Sequence, residues 1–262
     1  MFDLNELQPN GVAILGIPHD ANSSFMRGPA EAPAIIRQVL HNGAANLYAE
    51  RGQDLGNDPR WQDVGDVTFG DGDDFEVMET AVSTLLAHQQ RPLVLGGDHA
   101  IAYPILRAYA QHYPQLSILQ LDAHPDLYDE LDGNRPSHAC PFARTMEDGL
   151  AQRLVQVGIR TLNPHQRAQA ARFGVEVIEA REWHGQPLDL QGPVYLSLDM
   201  DVFDPAFAPG VSHHEPGGFS VRQVLDLLHG LAGVQLDGAA IVEYNPRRDC
   251  QQQPAAVADK QD

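Results

Sequence analysis

The chain contains little cysteine and little positive charge. Only two of its 262 residues are cysteines, Cys140 and Cys250, too few for a disulfide framework, so we expect free thiols and a cytoplasmic location. Lysine and arginine together number 17, against 36 aspartates and glutamates, which gives a formal net charge of -19. Phosphate binding requires a basic stripe, and its absence excludes a nucleic-acid partner.

Long apolar runs are missing as well. No apolar stretch reaches the roughly 20 residues that a membrane-spanning helix needs. The first ten residues are acidic and lack the basic region and apolar core of a signal peptide. The sequence therefore predicts neither a membrane partner nor export.

Short apolar runs alternate with helical patterns along the chain. This alternation predicts an α/β fold, a three-layer α/β/α sandwich with a mostly parallel central sheet, formed by one domain over residues 1–262. The predicted strands are Val12 to Ile17, Pro92 to Leu95, Leu116 to Leu121, Leu154 to Ile159, Val175 to Ile178, Val194 to Leu198 and Ala239 to Val242. The predicted helices are Pro33 to Leu40, Phe75 to Leu86, Ile101 to Tyr109, Pro164 to Phe173 and Ser220 to Leu231.

Three clusters of aspartate and histidine each follow an apolar run. The carboxyl ends of parallel strands line the ligand crevice of such sheets, so the clusters can meet there. Residues i and i+2 of an extended segment point the same way, which favours convergence within each cluster. The six candidate metal ligands are His99, Asp122, His124, Asp126, Asp199 and Asp201.

Charge decides how this group is interpreted. Four crowded carboxylates repel one another unless cations neutralise them, and two divalent ions supply that charge. Oxygen-rich ligands with two imidazoles and no thiolate favour Mn²⁺, so we expect two Mn²⁺ per subunit. Alone, Asp98-His99 after two glycines also fits a turn with a helix cap, and Asp122 to Asp126 fits a capped loop. Three clusters together at strand ends favour metal.

Glu243 follows the apolar run that ends at Val242, so the same rule places its carboxylate in the crevice. A carboxylate can bind a guanidinium through two hydrogen bonds. The alternative is a structural acid paired with Arg247 or Arg248. His138 lies at the end of the long loop after the second cluster, where the alternative is a solvated side chain.

The chain resembles the ureohydrolase family, which includes arginases, agmatinases, guanidinobutyrases and formimidoylglutamases. The resemblance rests on Gly16 to Pro18, Gly28, Pro33 to Arg37, Gly96 to His99, Asp122 to Asp126, Ser197 to Pro205, Pro209-Gly210, Glu215 to Gly218 and Glu243 to Pro246. It implies a dinuclear manganese hydrolase that cleaves a guanidino group, and a homo-oligomer, either trimer or hexamer. Two ions that share a water would lower its pKa towards neutrality.

In this scheme Asp122 and Asp199 bridge the ions. His99 and Asp126 complete one site, and His124 and Asp201 the other. The resemblance implies that Asp126 also carries a proton to the leaving amine, that His138 assists, and that His138, His213 and Glu243 contact the substrate. His213 and His214 stand where many relatives carry Thr and Gly, which leaves their roles open.

The loop from Asp126 to His138 looks agmatinase-like, because it lacks the Asn-x-His-Gly ending typical of arginases. Its acids Asp129, Glu130 and Asp132 would repel a substrate carboxylate. We therefore expect agmatine as the small-molecule guanidino substrate, with arginine, guanidinobutyrate and formimidoylglutamate as less favoured candidates.

A one-zinc deacetylase and a noncatalytic binding or partner subunit are the alternatives of another class. After Asp249 we expect an irregular or frayed segment in place of a complete helix, which would leave an apolar groove that a neighbouring subunit, or nothing, covers.

Overall fold

A single eight-stranded sheet forms the centre of the structure, a computed structural model that describes residues 7–43 and 46–249. All strand pairs are parallel, in the order β2-β1-β3-β8-β7-β4-β5-β6. The strands are β1 Val12–Gly16, β2 Trp61–Asp66, β3 Arg91–Leu95, β4 Ser117–Leu121, β5 Arg153–Ile159, β6 Glu176–Glu179, β7 Pro193–Asp199 and β8 Gln235–Val242. The last strand, β8, lies in the middle of the sheet between β3 and β7.

Six α-helices connect the strands in the described ranges. They are α1 Ala32–His41, α2 Asp74–Ala87, α3 Ala102–His112, α4 Pro141–Glu147, α5 Pro164–Phe173 and α6 Val221–Gly230. Local signals begin and end them as expected. Ser220 and Gln223 form a capping box at the start of α6. Asn163 caps α5 ahead of a proline, and Gly174 ends it in the left-handed conformation.

Two apolar cores lie on opposite faces of the sheet. One contains Ile36 and Val39 of α1 with Val224 and Leu227 of α6. The other contains residues of α2 and α3, together with Phe142 of α4 and Ala170 of α5. The strands between them are largely buried on both faces, as expected for a parallel sheet. The predicted three-layer α/β/α sandwich is confirmed.

Two elements were not predicted from the sequence. The sequence gives no strand signal for β2, because Trp61 and Val64 are its only apolar residues. The strand lies half-buried at the edge of the sheet. Helix α4, with seven residues, is too short to show a clear helical period. The predicted third helix begins at Ala102, one residue later than expected, because Ile101 belongs to a 3-10 helix over His99–Ile101.

Some predictions fall on residues outside the described ranges. Cys140 is buried and free, as expected, whereas Cys250 lies beyond Asp249 and is not described. The prediction about the segment after Asp249 also lies outside the described residues. Within residues 7–43 and 46–249, no helix combines the length and the hydropathy that crossing a bilayer requires.

Four neighbouring strands, β3, β8, β7 and β4, carry the chemistry-bearing residues at their carboxyl ends. The turn after β3 packs closely against the turn after β1. A Cβ atom on Gly97 would lie only 1.6 Å from the carbonyl oxygen of His19, so only glycine fits there. The Asp98 N–H also donates to that carbonyl oxygen at 2.9 Å. These contacts bring the turns that follow separate strands to one edge of the sheet.

Candidate metal centre

His99 is fully buried directly after β3, and its two ring nitrogens have different surroundings. Nε2 lies 2.8 Å from the Ser197 hydroxyl on β7. Nδ1 faces carboxylate oxygens of Asp126 at 3.0 Å, Asp122 at 3.1 Å and Asp199 at 3.2 Å. Nδ1 is buried and forms no well-aligned hydrogen bond with them. A buried imidazole nitrogen that faces three carboxylates is the arrangement expected around a cation.

A second group adjoins the first and shares Asp122 with it. His124 Nδ1 lies 2.8 Å from Asp201 Oδ2 and 3.7 Å from Asp122 Oδ1. Ligand atoms of Asp122, His124 and Asp201 all lie within 4.8 Å of one another, as do those of His99, Asp122 and Asp199. The structure therefore brings all six sequence-predicted ligands to one place and arranges them as two adjoining groups.

The residues fit two divalent ions on charge as well as on position. Four carboxylates meet here, and all are at least nine-tenths buried. An uncompensated buried carboxylate costs several kcal/mol, and two divalent ions would cancel the charge of four. The donor set of carboxylate oxygens and imidazole nitrogens without thiolate suits Mn²⁺ and related ions.

Titration behaviour in the absence of ions reflects the same excess of negative charge. Burial, then the Asp122 carboxylate, raises the pKa of Asp126 to about 6. Burial, then Asp201 and Asp122, raises the pKa of Asp199 well above its usual range. Burial lowers the pKa of His99, but its contacts with Asp122, Asp126 and Asp199 outweigh burial and raise the value well above normal. Without metal the centre takes up protons, and metal binding would displace them.

Two residues at the centre have a backbone conformation that ordinary side chains avoid. Asp126 has a φ of 50° and Glu243 a φ of 63°, both in the left-handed region. Aspartate tolerates this region, whereas glutamate adopts it rarely. Strained backbone of this kind concentrates at functional sites. At position 243 the strained residue follows β8 directly, and its side chain is held by the contacts described next.

Glu243 and His138 form a buried pair beside the metal ligands. Glu243 Oε1 accepts hydrogen bonds from the His99 N–H at 2.8 Å and from His138 Nδ1 at 2.7 Å. Among the described residues no group donates to Oε2, which leaves that oxygen available. The alternative pairing with arginine is wrong, because Arg247 binds Glu31 and Arg248 lies near His214. Glu243 is therefore placed for binding within the site.

Ser24 holds the other side of the His138 ring, a contact that the sequence did not indicate. The Ser24 N–H donates to His138 Nε2 at 3.1 Å, and the Ser24 hydroxyl lies 2.8 Å from the same atom. The backbone contact makes Nε2 an acceptor, so the ring carries its proton on Nδ1 in this arrangement. Burial lowers the pKa of His138, but Glu243 outweighs it and raises the pKa to about 9. Protonation of Nε2 would require the Ser24 N–H to turn away and its hydroxyl to accept.

Asp98 fastens the segment that carries Ser24. Its carboxylate is fully buried and accepts hydrogen bonds from the Asn22 N–H at 2.9 Å and the Ser23 hydroxyl at 3.2 Å. Burial, then the neighbouring Glu243, raises the pKa of Asp98 to about 7. The turn after β3 thus links His99, a candidate ligand, to the loop that orients His138.

These groups open into a cleft of about 210 Å³. His213 lines it, and its ring centroid lies 5.5 Å from that of His138 and 5.9 Å from that of His124. His214 does not line the cleft, since its Nε2 lies 2.7 Å from the Pro209 carbonyl oxygen. The described residues of the lining include no lysine or arginine; they are Ser24, His124, Asp126, Tyr128, Leu131, His138, Ala139, Thr161, Gln166, Asp199, Asp201, His213, Glu215 and Glu243.

The loop acids expected to repel a substrate carboxylate lie outside this lining. Asp129 Oδ1 accepts a hydrogen bond from Gln169 Nε2 at 2.8 Å, and its other oxygen lies 3.6 Å from His165 Nε2. Glu130 and Asp132 are exposed. The carboxylate that lines the cleft without a predicted role is Glu215, the first residue of the motif Glu215 to Gly218.

A profile described as the arginase family matches residues 10–260 of the chain. The chain belongs to the arginase family. Arginase 2, chloroplastic/mitochondrial, of Arabidopsis thaliana is 46% identical over 256 residues, a match that covers 90% of this chain and 74% of that protein. The predicted ureohydrolase family is confirmed, and with it a hydrolase of the dinuclear metal-dependent type.

Solved structures of the arginase family agree with the fold. The arginase of Medicago truncatula superposes with a TM-score of 0.87 at 40% identity, over 95% of this chain and 84% of that one. A hypothetical agmatinase from Burkholderia thailandensis superposes with a TM-score of 0.88 at 31% identity, over 99% of this chain and 85% of that one. Proteins described as arginase and as agmatinase are thus equally similar to this chain in fold.

Proposed function

We propose that this protein is a dinuclear manganese-dependent amidinohydrolase that releases urea from a guanidino compound, with agmatine as its preferred substrate. The convergence of six metal-ligand side chains beneath an acidic cleft carries the proposal. A noncatalytic binding subunit would have no need to keep a complete ligand set with a buried Glu243–His138 pair beside it.

In the proposed centre His99 and Asp126 would hold one ion, His124 and Asp201 would hold the other, and Asp122 and Asp199 would be ligands of both. When bound, the ions supply an acidified water as nucleophile and neutralise the buried carboxylates. A strong nucleophile is needed because a resonance-stabilised guanidinium reacts only slowly with water.

The remaining steps belong to side chains of the cleft. Glu243 Oε2 accepts hydrogen bonds from the guanidinium and orients it. Asp126 passes a proton to the leaving amine, and His138 exchanges protons with solvent through Nε2, beside Ser24. His213 forms the cleft wall against which the substrate chain packs. The free Oε2 of Glu243 and the contact between Ser24 and His138 Nε2 support these roles.

Agmatine is favoured over arginine by charge. No lysine or arginine among the described lining residues can pair with a substrate α-carboxylate, whereas two acids besides the candidate metal ligands, Glu215 and Glu243, line the cleft. Arginine is the second candidate, because the Arabidopsis relative with 46% identity is named an arginase. Hydroxyl groups of Ser24 and Thr161 in the cleft would then have to hold the carboxylate.

The proposal extends to the assembly and its surroundings. We propose one catalytic domain per chain, two Mn²⁺ per subunit and a homo-oligomer, trimeric or hexameric, in the cytoplasm. The family resemblance supports the assembly, and the free buried thiol of Cys140 agrees with a reducing compartment. The name of the Arabidopsis relative places that protein in chloroplasts or mitochondria.

The test measures urea release by the purified protein, with Mn²⁺ present, from agmatine, arginine and 4-guanidinobutyrate. With formimidoylglutamate, formamide release is measured instead. We expect the highest kcat/KM with agmatine, at least about tenfold above arginine, or about 1.4 kcal/mol of transition-state stabilisation. The chelator-treated protein is the control and should regain activity with Mn²⁺. A higher kcat/KM with arginine would make arginase the function, and no turnover of any compound would refute the proposal.

A further inference from the structure

One carboxylate in the cleft has no part in the proposed metal centre or in the pair with His138. The acids that line the cleft are Asp126, Asp199, Asp201, Glu215 and Glu243. Three of them face the candidate ions, and Glu243 is held by His138 and the His99 N–H. Glu215 remains, and 38% of its side chain is exposed.

The backbone around Glu215 is held firmly against the metal-binding segment. Arg160 donates to the carbonyl oxygen of Glu215 at 2.7 and 2.9 Å and to that of Asp201 at 2.6 Å. The N–H of Gly217 donates to Asp204 Oδ2 at 2.7 Å. A Cβ atom on Gly218 would come within 2.6 Å of the Asp204 nitrogen, so the turn packs there without space for a side chain. These contacts fix the backbone of Glu215. Its partly exposed carboxylate is thereby held in one place and stays available for a ligand.

Protein groups near the Glu215 carboxylate neutralise it weakly. The nearest cationic atom within ion-pair distance in the described ranges is His124 Nε2, at 3.6 Å from Glu215 Oε1. His124 faces Asp201 with its other nitrogen, so a metal-bound His124 would be a neutral donor on the Glu215 side. The Arg160 guanidinium binds the backbone carbonyl oxygen of Glu215, and among the described residues no lysine or arginine forms an ion pair with the Glu215 carboxylate. A full positive charge for this carboxylate must therefore come from a bound molecule.

The place of Glu215 in the cleft indicates which end of the substrate carries the positive charge that Glu215 would bind. Ring contacts lead from His124 through His213 to His138, and Glu243 follows His138. Glu215 and Glu243 thus lie at opposite ends of this row of imidazoles. If Glu243 holds the guanidinium, Glu215 lies on the side where the far end of an extended substrate emerges.

We infer that Glu215 is a specificity-determining residue that binds the distal ammonium group of the substrate. The inference rests on the proposed function, because it assigns the far end of the molecule whose guanidinium reacts at the ions. It also replaces the loop acids Asp129, Glu130 and Asp132 as the source of selectivity for a cationic tail. A charge-assisted hydrogen bond between ammonium and carboxylate is among the strongest that a cleft can offer.

The experiment compares two substrates that differ only in the distal charge. Agmatine and n-butylguanidine share the guanidino group and the four-carbon chain, but butylguanidine lacks the ammonium. We expect Glu215→Gln to lower kcat/KM for agmatine by about tenfold or more and to change kcat/KM for butylguanidine by less than about twofold. Manganese content and the unfolding midpoint should stay at their wild-type values.

Two further variants isolate the local charge. Glu130→Gln removes the same unit of charge from an exposed position outside the cleft and should leave both substrates unaffected. Glu215→Lys should reverse the preference, so that 4-guanidinobutyrate gains on agmatine.

An equal loss on agmatine and butylguanidine in Glu215→Gln, with less bound manganese, would show that Glu215 only orients His124. No loss on either substrate would also overturn the inference. Absence of urea from every guanidino compound with the wild-type protein would instead refute the proposed function, and the inference with it.

Discussion

Two concave regions lie near opposite ends of the central strands, and they differ in chemistry more than in size. The cleft at the carboxyl ends measures about 210 Å³ and is lined mainly by acids, imidazoles and hydroxyl groups. A larger pocket of about 470 Å³ lies near the amino ends of β1, β3 and β8, and leucines such as Leu93, Leu225 and Leu228 dominate its walls. Buried charge, and not volume, distinguishes a reactive site from a gap in apolar packing.

The first way to test this comparison is to remove one charge from the cleft. Asp199→Asn leaves the shape nearly unchanged but takes away a ligand that faces His99 Nδ1. We expect urea release to fall by more than about 100-fold, since loss of even an outer-shell contact to a metal site costs about 10- to 100-fold. Manganese content should fall from two ions towards one or none. Near-normal turnover with two ions bound would overturn the assignment of Asp199 as a metal ligand.

The second test uses the titration of His138 in the metal-free protein. Its pKa of about 9 exceeds the usual value, because Glu243 outweighs burial. A raised histidine pKa stabilises the fold fully below about pH 6.5 and loses that contribution as the pH rises through about 9. The free energy of unfolding of the wild type should therefore exceed that of His138→Asn by an amount that shrinks over this range, by roughly 3 kcal/mol at most.

Denaturant unfolding at pH 6.5, 8 and 9.5 with chelator present measures this difference. Histidines remote from residue 138 titrate equally in both proteins, so their contributions cancel in the comparison. His213 is the exception, because burial and then the His138 charge lower its pKa in the wild type. A difference between the two proteins that stays constant over the window would contradict the raised pKa.

The third test perturbs the apolar pocket and predicts no effect on the chemistry. Leu225 on α6 is 8% exposed and borders this pocket. Leu225→Ala should lower the free energy of unfolding by about 2 kcal/mol, near the lower end for such changes, because part of the cavity already exists. Manganese content and kcat/KM should not change. A comparable fall in kcat/KM at full metal content would mean that the pocket is coupled to the cleft.

Sequence patterns were sufficient to predict a helix or strand where a local signal coincides with burial. The runs that became β4 and β7 are buried along most of their length, and Ser220 with Gln223 marked the start of α6. Edge strand β2 could not be predicted, because a half-exposed strand needs few apolar residues. Its place depends on pairing with β1, which lies about 50 positions earlier in the chain.

The same distinction applies to the site. Side chains that follow a buried strand directly, such as Asp122, Asp199 and Glu243, were predictable as crevice residues. Ser24 was not, because its contact with His138 joins two loops 114 positions apart. Glu215 has no strand before it, and its turn is held at the cleft by contacts such as those of Arg160 with the Glu215 and Asp201 carbonyl oxygens and of Gly217 with Asp204.

The central place of β8 has a consequence for how the chain folds. Strands β2, β1 and β3 form one half of the sheet, strands β7, β4, β5 and β6 the other, and β8 joins them although it is made last. His99 comes from the first half, whereas Asp122, His124, Asp199 and Asp201 come from the second. During synthesis both halves are complete before the strand that unites them emerges. A cation that binds the assembled centre can therefore hold only the finished fold, and by mass action it favours the late insertion of β8 over its release.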